Sequence, residues 1–197
     1  MFRRRKKYQL TFANDKKKIT PALIKEILSW AFYTAVVIFA AAIVVIAFGT
    51  RISVIGDSME PSLSSGQYIL VNKVDYILFS PAKDDIIAFL PNGNKNSHEY
   101  IKRIVAIPGD TVQIVDGELY INGALEDTSN EDFDKMEDAG IASDLITLGD
   151  DEYFVLGDNR NSSEDSRSAN IGVVKKSTII GKAWYCYGQG SNSGFIN

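Results

Sequence analysis

From Ile27 to Thr50 the chain runs through 24 positions without a charged residue, and the only side-chain hydroxyls within them are Ser29, Tyr33, Thr34 and Thr50. As a helix this stretch is about 36 Å long, enough to cross a hydrocarbon core of about 30 Å with some tilt. Beyond it the pattern changes to short runs of apolar and β-branched residues bounded by turn signals. These recur at Arg51 to Ile55, Tyr68 to Val71, Asp85 to Leu90, Tyr100 to Ile107, Thr111 to Val115, Glu118 to Ile121, Tyr153 to Leu156 and Thr178 to Tyr187. Asp116-Gly117 and Asn122-Gly123 supply the positive φ angles of tight hairpins. The pattern predicts a mainly β protein: one N-terminal transmembrane helix, then an antiparallel β-sheet ectodomain.

Composition narrows this picture little. The chain has 197 residues, 45% hydrophobic and 23% charged, which excludes disorder for most of it. A single cysteine, Cys186, excludes an intramolecular disulfide framework, and with one histidine, His98, it cannot build a Cys/His zinc site. Charge is more informative. The net charge of -4 conceals a tip, residues 1–26, with nine Lys/Arg against Asp15 and Glu26. That segment is +7 and the remainder -11. A basic block abutting an apolar span is a topology signal, so residues 1–26 are expected as a cytoplasmic tail, 27–50 as the anchor and 51–197 outside the cytoplasm. Trp30 and Tyr33 suit the headgroup level near the basic end. A nucleic-acid-binding tail explains the charge but not the apolar span. A cleaved signal peptide explains both, although its apolar core is normally about 7 to 15 residues.

Three segments hold polar residues that a plain β core does not need. Gly56-Asp57-Ser58-Met59-Glu60-Pro61-Ser62-Leu63 reads as a tight turn presenting Ser58 at a strand end. In Lys102-Arg103-Ile104-Val105-Ala106-Ile107-Pro108-Gly109-Asp110 two cations interrupt an apolar strand, one of them expected to be at least partly buried. The third segment, Gly157 to Arg167, is a dense polar loop directly after an apolar strand. Singly they read as a turn hydroxyl, an edge-strand charge and a surface turn. Together they suggest a serine activated by a desolvated lysine. At a pKa of about 10.4 only about one lysine in 2,500 is neutral at pH 7, whereas burial can lower that pKa by about 3 to 5 units. An apolar surrounding for Lys102 is therefore a condition of the chemistry.

On these three motifs, in this order and behind an N-terminal anchor, the chain resembles the bacterial type I signal peptidases, membrane-anchored Ser/Lys proteases that remove signal peptides from exported preproteins. The resemblance implies Ser58 as nucleophile, Lys102 as general base and Ser163 as the hydrogen-bonding partner that orients the lysine amine. It implies Asp165 and Arg167 as a structural ion pair, and Asp158, Asn159 and Arg160 as the support of the loop carrying Ser163. Some relatives have a serine two residues before the nucleophile to help bind the oxyanion; Gly56 stands there in this chain, so the Ser58 N–H is one expected donor and the second is either the backbone at Gly56 or a water. The family also implies an extended substrate between the strand before Ser58 and the one carrying Lys102, shallow pockets favouring Ala-x-Ala, and secretory preproteins and the lipid bilayer as partners. Between the second and third motifs, 111–156, a small hairpin subdomain is expected.

Several alternatives remain open on the sequence. His98 could replace Lys102 as base, as in the eukaryotic reticulum members of the wider family, but it reads as an exposed residue of the polar run Asn92 to Glu99. Cys186 reads as a packed small hydrophobe. Self-cleaving repressors also use Ser and Lys, yet carry a DNA-binding domain and no span. A tethered β module binding exported or cell-surface proteins needs neither Ser58 nor Lys102. No metal, nucleotide, organic cofactor or nucleic acid is implied, and the acidic stretch Glu126 to Asp138 lacks the glycine of an EF-hand loop.

Overall fold

The computed structural model describes residues 20–126, 135–188 and 193–196. The basic cluster from Arg3 to Lys18 and most of the acidic stretch (127–134) lie outside them. Two compact units divide at Ala42/Ile43. Helix α1 spans Pro21–Phe48, beginning six residues before the predicted anchor and ending two before its close. The early start has a local cause. Thr20 Oγ accepts the Leu23 N–H at 3.4 Å and Pro21 takes the first helical position, where its missing N–H costs nothing. Lys25 and Glu26 therefore extend the helix rather than bounding the apolar run. At the far end the Gly49 N–H reaches the Val45 carbonyl at 2.8 Å, and a Cβ there would lie 2.5 Å from that oxygen. α1 is long and apolar enough to cross a membrane, with a mean hydropathy of 2.6 in its most apolar window.

The larger unit is antiparallel β. Its elements are β1 (Thr50–Ser53), β2 (Gln67–Asn72), a one-turn helix α2 (Asp75–Leu78), β3 (Ile86–Phe89), β4 (Tyr100–Ala106), β5 (Thr111–Val115), β6 (Glu118–Ile121), β7 (Ala124–Leu125), β8 (Ile146–Thr147), β9 (Glu152–Leu156), β10 (Val174–Lys175), β11 (Ile179–Gly188) and β12 (Gly194–Phe195). One sheet runs β1-β2-β11-β3-β4-β9-β10, with β12 on β11; a smaller one runs β7-β6-β5-β8. Both predicted hairpins form, with φ of 51° and 79° at Asp116-Gly117 and 53° and 76° at Asn122-Gly123. The segment 111–156 is not wholly a separate subdomain: the small sheet ends at Thr147, and β9 returns to pair with β4.

The strand β4 positions the chemistry. It pairs with β3 on one side and β9 on the other, and six of its seven residues are buried. Strict alternation would put Ile104 and Ala106 on one face. Instead a register shift between Ile104 and Ala106 places Val105 and Ala106 in the same apolar cluster and Ile104 in another. Ile101, ahead of the shift, packs in a third cluster with Met59 and Leu63 from the Ser58 turn. That packing seats the turn against β4.

Candidate active site

Ser58 lies just past β1, in a turn whose core anchors, Met59 and Leu63, are both 1% exposed. Gly56 has a φ of +79° and open space where a side chain would be, so the chain reverses there without crowding the approach to Ser58. Lys102 comes from the middle of β4 and is 4% exposed. Its Nζ donates to Ser58 Oγ at 2.7 Å. Burial pushes the lysine down to about 8, although the carboxylates of Asp165, Asp158 and Glu164 pull it upward. Roughly one molecule in ten then holds the free amine at pH 7, against about one in 2,500 for an exposed lysine. A hydroxyl against such an amine can lose its proton as it attacks a carbonyl.

The neighbouring Arg103 is also buried, so β4 carries two buried cations where one was expected. Arg103 forms a two-pronged pair with Asp158, at 2.9 and 2.8 Å, and reaches Ser62 Oγ and the Asp84 carbonyl. The third motif is thereby tied to β4 and to the Ser58 turn together. Asn159 adds a backbone strap, its N–H donating to the Ser58 carbonyl at 3.1 Å. Asp165 and Arg167 form a second two-pronged pair, both bonds at 2.9 Å, and Asp165 also accepts the Gly157 N–H. The Arg167 guanidinium binds the Arg160 carbonyl in turn, closing the loop on itself.

Two expected contacts differ. Ser163 Oγ is buried and, among the described residues, has no hydrogen-bond partner, so it does not hold Lys102 in this structure. The hydroxyl packs instead beside Gly157: a Cβ on Gly157 would lie 2.2 Å from Ser163 Oγ and 2.5 Å from the Ser58 carbonyl oxygen. Only glycine fits between the loop and the Ser58 backbone. The Gly56 N–H is already given to Ser65 Oγ at 3.2 Å. The Ser58 N–H meets no acceptor among the described residues.

A cavity of about 300 Å³ opens over Ser58 and Lys102. Val54, Ile55, Met59 and Ile101 give it an apolar wall; His98, Glu99, Tyr100 and Glu164 line it as well. His98 therefore sits in a rim rather than in a remote loop, although it is exposed, and neither Ser58 nor Lys102 bonds to it. Arg103, Tyr100 and Glu164 were not singled out as site residues from the sequence. For Arg103 the available signal was a second cation in an apolar strand, facing an aspartate at another strand's end. Among the described residues no group of His, Cys, Asp or Glu is placed to hold a metal ion.

Comparison with known proteins identifies relatives of this chain. The family described as "Signal peptidase, peptidase S26" matches residues 26–187. A signal peptidase IB of Staphylococcus aureus is 33% identical over 174 residues, covering 80% of this chain and 87% of its own length. A probable signal peptidase I-2 of Synechocystis is 35% identical over 131 residues, covering 64% and 57%. The crystal structure of a signal peptidase I from Enterococcus faecalis is 36% identical, with a TM-score of 0.40 over 53% of this chain and 97% of that one. All three sequence motifs fall within the residues matched by the family, and the chain belongs to the signal peptidase family of serine endopeptidases.

Proposed function

We propose that this protein is a Ser/Lys endopeptidase that removes N-terminal signal peptides at Ala-x-Ala-like sites on the outer face of the cytoplasmic membrane. The observation that carries the reading is the 2.7 Å bond between a buried Lys102 amine and Ser58 Oγ. Ser58 attacks the carbonyl at the end of the signal peptide while Lys102 takes its proton. Lys102 then returns the proton to the leaving amine, and water hydrolyses the acyl-enzyme with the lysine again as base. The Ser58 N–H donates to the oxyanion, and the open space at Gly56 gives that oxygen room. Ser163, with its uncommitted buried hydroxyl, orients the amine as Ser58 leaves it. Asp158, Asn159, Arg160, Asp165 and Arg167 hold the loop behind the pair.

The anchor reading rests on α1 and on the basic cluster before it, which favours a cytoplasmic N-terminus and an extracytoplasmic peptidase domain. Substrates are exported preproteins lying extended along the cleft beside Val54 and Ile101. The test compares detergent-solubilised wild type with Lys102→Ala on a precursor whose signal sequence ends in Ala-x-Ala, mapping the cut by mass spectrometry. Cleavage after the second alanine by wild type alone is expected. Equal cleavage by both would remove Lys102 from the mechanism and turn attention to His98. No cleavage by either would favour the tethered binding module.

A further inference from the structure

The carboxylates around the cleft fall into two groups. Asp158 and Asp165 are each neutralised by a two-pronged guanidinium, from Arg103 and Arg167. Glu99 and Glu164 line the same cavity as Ser58 and Lys102, are exposed, and form no ion pair among the described residues, although Glu164 also lines a second cavity with Arg160 and Arg167. Glu164 is nevertheless held in place: the Tyr100 hydroxyl donates to its Oε2 at 3.1 Å, joining β4 to the third motif across the mouth of the cavity. Burial and this bond to Glu164 both raise the phenol above its ordinary range, so Tyr100 stays a donor throughout the working pH range. Lys102 is the one lysine or arginine lining the cavity, and it must shed its charge to act. With the lysine neutral, the cavity holds two carboxylates that nothing in its lining balances.

We propose that Glu164, fixed by Tyr100 at the mouth of the cavity, is a specificity-determining residue that favours substrates carrying a lysine or arginine close to the scissile bond. The inference rests on the peptidase reading above but concerns which preproteins are cut fastest. A substrate cation placed at Glu164 completes an ion pair that the free protein lacks. It also offsets the pull of Glu164 on the Lys102 proton, so it aids turnover as well as binding. Because Glu164 is exposed the effect is moderate: a solvent-screened pair contributes about 0.2–1 kcal/mol, roughly a 1.4- to 5-fold preference that weakens as salt rises.

The test uses the full chain in detergent and matched peptides with lysine, methionine or glutamate at each of the three positions on either side of the cut. In wild type, kcat/KM is expected to favour lysine by about 1.4- to 5-fold at one or more positions at low salt. The preference should vanish in Glu164→Gln and turn toward a glutamate-bearing peptide in Glu164→Lys. The same lysine-to-methionine ratio in wild type and both variants would overturn the proposal. Binding of the same peptides to Ser58→Ala, with and without Glu164→Gln, separates the two readings. A lysine preference in binding that depends on Glu164 supports the inference even where nothing is cut, whereas absence of cleavage by wild type would sink the peptidase reading alone.

Discussion

Two cations stand side by side on β4, and the protein treats them in opposite ways. Arg103 is 6% exposed and meets a carboxylate, a hydroxyl and a backbone carbonyl. Lys102 is 4% exposed, yet its nearest partner is the neutral hydroxyl of Ser58. Burial is the same for both; compensation is not. A paired guanidinium keeps its charge and ties β4 to the third motif, while the unpaired ammonium is pushed toward its neutral form, which is the form a general base requires. Structure and chemistry are thus divided between adjacent residues whose side chains leave the strand on opposite faces.

Replacing Lys102 with Met tests that contrast most severely. Cleavage of the precursor should fall by about 10³- to 10⁴-fold, as expected when a nucleophile loses its base. Stability should move the other way. The unfolded lysine keeps its proton up to about pH 10.5 and the buried one only up to about pH 8, so between those values the unfolded state holds more protons and wild-type stability climbs with pH. Below pH 8 the whole cost of burying the ammonium is felt. Denaturant titration should therefore find Lys102→Met more stable by about 1–3 kcal/mol at pH 7, with the gap closing from pH 8 to 10.5. A variant less stable than wild type at pH 7 would mean that the lysine is compensated after all.

Asp158→Ala breaks the other half of the comparison, leaving Arg103 buried without its carboxylate. The expected loss is about 3–5 kcal/mol in chemical denaturation, and Asp158→Ala combined with Arg103→Met should recover much of it. Gly157→Ala is the mildest of the three. Its Cβ would force apart Ser163 and the Ser58 backbone, at about 1–3 kcal/mol, and should slow cleavage more than it weakens peptide binding. An unchanged kcat would show that the spacing between loop and nucleophile is not critical.

Much of this was legible in the chain. The strands Thr111–Val115 and Glu118–Ile121 and their turn follow from local alternation and one Asp-Gly dipeptide, because hairpins depend on neighbours in sequence. The juxtaposition of Ser58 with Lys102 followed from motif resemblance, since no local rule joins residues 44 apart. What stayed hidden was non-local or fine. The Arg103–Asp158 pair spans 55 positions, and the Tyr100–Glu164 bond spans 64. The Ser163 hydroxyl packs where a Gly157 side chain would stand, a close fit that no pattern encodes. The helix starts early because Thr20 and Pro21 set its first turn, so a charge count, which marks only the apolar run, misjudges where winding starts.

The order of strands in the large sheet also carries a consequence in time. β1 and β2, which lead into and out of the Ser58 turn, lie on one side of β11, and β3 and β4, which carry Lys102, lie on the other. As ribosomes deliver the chain from its N-terminus, Ser58 and Lys102 both emerge long before residues 179–188 that join their halves of the sheet. The large sheet that carries both residues is therefore completed only when its last long strand arrives.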